Sequence, residues 1–275
     1  YVAGLGVPGA ALGTVLSIAI VASVEAWFAI FRSSILALRL DKVRFVWMWS
    51  YVRNAVKISA PIAAQYVLIT GAQVVSTYIV APLGNFAIAA NTFAITAESL
   101  CYMPGYGIGD AATTLVGQSM GAGQYGLCRS FAKLTVGMGM AVMALMGVVM
   151  YVFAPEMIGL MTPVDEIRAL GTQILRIEAF AEPMFAAAIV GNSVCVGAGD
   201  TLKPSLMNLT SMWGVRLTLA AVLAHWYGLQ GVWTAMAVEL TFRGILFLAR
   251  LKWGVWLRAE GGVEKNNGDG GRHAQ

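Results

Sequence analysis

Charge is what this sequence has least of. Asp, Glu, Lys and Arg together make up 12% of its 275 residues, against about 25% in a typical soluble domain. Histidine occurs only at His225 and His273, and cysteine only at Cys101, Cys128 and Cys195. Three cysteines cannot all pair, and their spacing fits no zinc site, so they read as small packing residues. So few histidines and cysteines leave no metal site and no cofactor to expect. They also argue against a membrane-embedded enzyme built on His or Cys ligands. The formal net charge of +4 is spread between apolar runs instead of being gathered on a soluble face, which argues against a nucleic-acid partner.

What the chain has instead is apolar surface: 58% hydrophobic residues and a mean hydropathy of +0.71. That is more than a soluble fold of this size can hide, so the expected class is an all-α integral membrane protein. A spanning helix needs about 20 mostly apolar residues. Seven runs qualify, at 10–31, 58–80, 86–115, 134–153, 170–196, 204–224 and 229–248. The third is too long for a straight span, and Pro104, Gly105, Gly107 and Gly109 are expected to kink it. Residues 58–97 carry no charge, and Ala81-Pro82-Leu83-Gly84-Asn85 divides them into two helices. No alternating ten-residue pattern supports a barrel.

Basic residues set the orientation. One side holds Arg32, Arg39, Lys42, Arg44, Arg53, Lys57, Arg129, Lys133 and Lys203, and later Arg250, Lys252, Arg258, Lys265 and Arg272. The other holds Arg168, with Arg176 just inside a helix, beside Glu156, Asp165 and Glu166. The C-terminus is therefore expected in the cytoplasm, in a multi-pass plasma-membrane protein. The aromatic and basic segment 41–54 reads as a helix along the interface, and the polar, Gly-rich tail as disordered. Gly6-Val7-Pro8-Gly9-Ala10 and Gly231-Val232-Trp233-Thr234-Ala235 open the first and seventh runs at the same surface. That match suggests a parallel repeat of two similar halves. The chain opens at Tyr1 inside a Gly-rich segment, as the back part of a longer protein would.

Several segments then point to a family. These are LGN at 83–85 with AIAANTFAITAESLCYMPGYGIGDAATTLVGQSMGAGQ at 87–124, GAGDTLKP at 197–204, GLQGVWTAM at 228–236 and GLGVPGAALGT at 4–14. Together they resemble the multidrug and toxic compound extrusion (MATE) transporters, and LVGQSMGAG is the most specific piece. The resemblance implies twelve helices in two six-helix lobes around a central cavity. Residues 1–40 would be the last helix of the first lobe, 41–56 the cytoplasmic linker, 57–256 the complete second lobe and 257–275 the tail. The remaining first-lobe helices would then be the missing partner of this piece. The resemblance also implies exchange of organic cations and other amphipathic compounds for protons or sodium ions by alternating access. Two positions depart from the pattern: Ile69 and the neighbourhood of Phe185 stand where sodium-coupled members place acids. The coupling ion is therefore left open between H+ and Na+.

Charge inside a bilayer needs a partner or a water-filled cavity. Glu98 lies 13 residues beyond Asn85, about 20 Å along a helix. Glu178 and Glu182 are four apart, which places them on one face of the fifth run. Glu239 and Arg243 are four apart in the seventh, as a structural ion pair would be, and Arg216 is mid-span, within reach of Glu182 or Glu98. Glu25 reads as a local polar contact, and Asp110 and Asp200 as contacts near the surface. Burial in a low dielectric disfavours the charged form of a carboxylate, so Glu98 and Glu182 could exchange a proton for a cationic drug. Gln65, Gln73, Asn91, Tyr102 and Asn192 are expected to add polar groups to the cavity wall. The 14 methionines would suit a promiscuous pocket. A retinal protein is excluded by lysines that all lie at loops, helix ends or the tail. A lipid-linked oligosaccharide flippase of the same two-lobe design is the closest rival.

Overall fold

A computed structural model describes residues 6–32 and 47–257. Residues 41–46 of the linker and nearly all of the tail therefore lie outside the described residues. Among the described residues every regular element is helical. The helices are α1 (Gly6–Trp27), α2 (Trp49–Val80), α3 (Asn85–Gly121), α4 (Tyr125–Gly159), α5 (Asp165–Ala179), α6 (Glu182–Gly197), α7 (Leu202–Leu209) and α8 (Leu217–Trp253). Thr210–Arg216, between α7 and α8, is π-helical.

The chain divides into two compact units, Tyr1–Val52 and Arg53–Gln275. In the first, α1 is apolar and its described side chains from Ala11 to Trp27 are all exposed. A helix apolar on every side needs lipid or other helices around it. In the second unit, α6 lies at the centre and packs on α3, α4 and α8, while α5 packs on α3, α4 and α8.

The packing of the second unit rests on small residues. On α3 the buried positions are Ala87, Ala90, Ala94, Ala97, Cys101, Gly105, Gly109, Ala112, Val116 and Ser119, with Glu98 beside them. Their spacing of three or four residues makes one continuous face. Helices in lipid associate through close van der Waals contact, which small side chains permit. Gly147 of α4 is one such approach: a Cβ there would lie 2.7 Å from the Ala179 carbonyl oxygen and 3.2 Å from Glu182 Cβ. Cys101, Cys128 and Cys195 are all buried and unpaired by disulfides.

Four described helical stretches are long and apolar enough to cross a membrane: 11–32, 55–83, 125–159 and 202–253. The pair α5 and α6, bent by 59°, passes the same test when taken together, which makes a fifth if the pair is one broken span. The chain is a multi-pass membrane protein. Each of the seven apolar runs falls on helix apart from a turn at 180–181 in the fifth, and four details refine the expectation. First, α2 starts at Trp49, so the segment expected to lie along the interface is in part the first turns of this 32-residue helix.

Second, α3 stays one 37-residue helix with Pro104 inside it. At 1.5 Å per residue it is about 55 Å long, so its ends overrun a hydrocarbon core of about 30 Å.

Third, the fifth run is two helices, and Glu178 and Glu182 lie on either side of the bend, not along one helical face. Pro183 explains it. A proline ring clashes with the carbonyl four residues back and donates no hydrogen bond; here that carbonyl belongs to Ala179, the last residue of α5.

Fourth, the sixth run contains the π-helical segment, and the sixth and seventh meet at Gly228. There φ is +57° and ψ is −137°, a backbone open in practice only to glycine.

Candidate functional site

Glu98 is buried next to the small-residue face of α3. It lines a cavity of about 220 Å³ together with Ile69, Gln73, Tyr102, Phe185, Arg216 and Arg243. Five further apolar or aromatic residues, including Tyr106, Met212 and Met236, complete the wall. Tyr102 is the centre of an aromatic row: its ring meets Tyr106 at 5.7 Å and Phe185 at 5.8 Å, edge to face in both cases. The Arg243 guanidinium continues that row, 5.7 Å from the Phe185 ring centroid. A cavity with aromatic faces and one carboxylate can hold an amphipathic cation through apolar contact, cation–π attraction and charge.

The two arginines are held differently. Arg243 Nε lies 3.2 Å from Glu239 Oε1, four residues earlier on α8. The same oxygen accepts a 2.6 Å hydrogen bond from Ser211 Oγ. Arg216 makes no ion pair within 4.0 Å among the described residues. Its guanidinium donates to the Met212 and Met236 thioether sulfurs. It still lies within electrostatic reach of Glu239, Glu98 and Glu178. The direct bridge to Glu182 or Glu98 expected from the sequence is therefore absent. The π-helical segment aims Arg216 along its C-terminal turn at the sulfurs instead.

Behind the cavity wall are Glu178 and Glu182, both fully buried, and none of their four carboxylate oxygens has a hydrogen-bond partner. A buried carboxylate without a donor is costly as a bare anion. Both lie close enough to Glu98 for the like charges to repel. Four carboxylates and two guanidiniums thus meet in one region of the bundle, and only Glu98 among the carboxylates lines the cavity.

Of the other polar residues singled out in the sequence, Gln73 and Tyr102 line the cavity and Gln65 does not. Asn91 accepts a 2.9 Å hydrogen bond from Trp233 Nε1, joining α3 to α8. Asn192 accepts one of 3.2 Å from Asn208, joining α6 to α7. The cavity also takes Tyr106, Met212, Met236 and Leu240, for which the sequence offered only helical spacing from residues already named. Asp200, read as a loop contact, pairs with Arg250.

The sequence model of the MatE family matches residues 61–222. The chain belongs to the MatE family. It is 27% identical over 254 residues to the probable multidrug resistance protein NorM of Thermotoga maritima, covering 92% of this chain and 54% of that protein. It is likewise 27% identical to the uncharacterized transporter YisQ of Bacillus subtilis, covering 92% of this chain and 56% of that one. The chain thus spans about half the length of the curated relatives it matches.

The MatE fold is matched by a MATE protein solved in complex with MaL6, with a TM-score of 0.80 at 18% identity, over 94% of this chain and 59% of that one. A second match is a MOP superfamily transporter of Pyrococcus furiosus whose study reports a binding pocket of reversed polarity. Its TM-score is 0.65 at 16% identity, over 72% of this chain and 44% of that one. In this MatE chain Ile69 and Phe185, the positions where the resemblance would have placed acids, both line the cavity. Its one acid comes instead from α3, as Glu98.

Proposed function

We propose that this MatE chain is part of a secondary active efflux antiporter. It exports cationic or amphipathic compounds across the plasma membrane in exchange for protons or sodium ions, by alternating access. Residues 57–256 form one six-helix lobe, 1–40 the last helix of the other, and 41–56 the linker between them. The excess of basic residues at that linker and at the end of α8 supports a cytoplasmic C-terminus. The name of the NorM relative supports multidrug substrates.

The observation that carries this reading is the rank order of the acids. Glu98 opens to the aromatic cavity, while Glu178 and Glu182 stand behind it without donors. An incoming cation and an incoming proton or sodium ion compete for the same negative charge. Loading of one then releases the other. The test is ethidium efflux from proteoliposomes holding the full-length protein, driven by an imposed proton or sodium gradient. Wild type should respond to one of the two gradients, and Glu98→Gln should lose that response while still folding. Efflux equal to wild type in Glu98→Gln would overturn the assignment.

One observation favours a second reading. Arg216 and Arg243 also line the cavity, so its wall is not uniformly acidic, and the Pyrococcus furiosus transporter is described by reversed pocket polarity. A lipid-linked oligosaccharide flippase would use these guanidiniums for an anionic substrate. Retention of an anionic lipid-linked sugar with no ethidium efflux would select it.

A further inference from the structure

A second cavity, of about 700 Å³, opens between the first turns of α4 and the last turn of α8. It shares no residue with the cavity around Glu98. Its polar side carries three cations, Arg129 and Lys133 from α4 and Lys252 from α8, and no carboxylate. Arg129 and Lys133 are four apart, so they project from one face of α4. The ion pairs found among the described residues are Arg243 with Glu239 and Arg250 with Asp200. Among the described residues none of the three cavity cations has a carboxylate partner, although Arg250 nearby does.

The rest of the wall is apolar. Val136 and Met140 continue the α4 side, and Leu251 and Leu248 continue the α8 side. From Arg129 to Met140 is about 16 Å at 1.5 Å per residue, long enough for several acyl carbons. Trp253, 73% exposed, stands on the rim, and tryptophan marks the level of the headgroups. A small soluble anion would need the cations only. The apolar strip running away from them fits a molecule with a charged head and a hydrocarbon tail.

We infer that the α4–α8 groove binds an anionic phospholipid, its phosphate on Arg129, Lys133 and Lys252 and an acyl chain along Val136, Met140, Leu248 and Leu251. Basic pockets between spanning helices bind such headgroups, and each Lys or Arg near an anionic surface contributes about 1 kcal/mol. That is about fivefold in affinity per cation, and about 100-fold for three. The site is separate from the transport cavity, so the inference does not depend on which substrate is carried.

The experiment is native mass spectrometry of the purified full-length protein with phosphatidylglycerol and phosphatidylcholine of identical chains. Wild type should retain phosphatidylglycerol at least tenfold better. Arg129→Gln/Lys133→Gln/Lys252→Gln should lose about 100-fold of that affinity, and Lys133→Arg/Lys252→Arg should keep it. Glycerol 3-phosphate should not displace the lipid; displacement at equal concentration would assign the cations to a free phosphate and overturn the lipid. A phosphatidylglycerol with a diazirine in its acyl chain should label peptides containing Met140 and Leu248. This labelling needs no variant, so it decides even if the triple substitution fails to fold. Equal retention of both lipids, wild-type affinity in a folded triple variant, or labelling elsewhere would each overturn the proposal.

Discussion

Ser211 Oγ donates a 2.6 Å hydrogen bond to Glu239 Oε1, which is also the oxygen 3.2 Å from Arg243 Nε. The bond ties the π-helical segment to α8. Ser211 and Arg216 are five residues apart, which in an α-helix would turn them about 140° from each other. The i→i+5 pattern of a π-helix brings them back toward one face, and both are buried. Interhelical hydrogen bonds in membranes contribute about 0.6 kcal/mol on average and up to about 1.7. Ser211→Ala should therefore lower stability by about 1 kcal/mol, read as a lower melting temperature in detergent. Glu239→Gln, which also dissolves the buried ion pair, should cost about 3 kcal/mol. Equal losses in the two variants would mean that Arg243 contributes nothing through Glu239.

Trp233 is 1% exposed, and its indole N–H is spent on Asn91. Asn91 was read from the sequence as a cavity group, but the structure uses its side-chain oxygen to satisfy a buried donor. Asn91→Ala should destabilise by about 1 kcal/mol and leave the apparent affinity for exported compounds unchanged. Trp233→Ala should cost about 3–5 kcal/mol, because it removes a large buried side chain as well. A shift in substrate affinity for Asn91→Ala, at unchanged stability, would return Asn91 to the cavity wall.

Helix positions were legible in the sequence because lipid imposes a length and an apolarity on every span. The same uniformity hid the breaks. Pro183 follows Glu182 directly, yet Pro61 and Pro104 stand inside α2 and α3 without ending them, so proline alone does not announce a bend. The π-helical turn at Thr210–Arg216 has no residue signature at all; it is visible only in which side chains it buries. Of the site, the acids were legible because charge in an apolar run is costly. Of their partners, Arg243 was legible from its spacing to Glu239, and that pair is present; the surroundings of Arg216 were not. Arg216 meets methionine sulfurs, and nothing in the spacing distinguishes those methionines from the rest.

Gly147 lets α4 approach the bend that carries Glu182. A Cβ at that position would be 2.7 Å from the Ala179 oxygen, whereas one at Gly107 would meet nothing within 4 Å. Backbone cannot yield as a side-chain tip does, so Gly147→Ala should cost about 1–3 kcal/mol. It should also lower transport by pushing α6 outward. Gly107→Ala, on an open helical surface, should gain up to about 1 kcal/mol from helix propensity. Thermal melting of the two variants gives opposite signs if the approach at Gly147 is as tight as it stands, and the same sign if α6 can slide.

Glu178 has no donor on either oxygen. Glu178→Gln keeps the side chain's shape and removes its capacity for negative charge. It should cost no stability, since an unpaired buried carboxylate is costlier as an anion than a neutral amide of similar volume. A melting temperature more than a few degrees below wild type would show that Glu178 is paired in the folded protein, by an ion or by Arg216.

Arg216 lies near Glu98, Glu178 and Glu239 without an ion pair to any of them among the described residues. Arg216→Met preserves length and matches the thioethers around it, but it leaves the acids without that positive neighbour. The single change should be destabilising. Adding Glu98→Gln removes one of the repelling charges, so the double variant should be more stable than the sum of its parts. Residues coupled in one charge network show interaction energies of about 0.5–3 kcal/mol, and the melting temperatures of the four proteins in the cycle measure it. Additivity within about 0.5 kcal/mol would mean that Arg216 and Glu98 are screened from each other by water in the cavity.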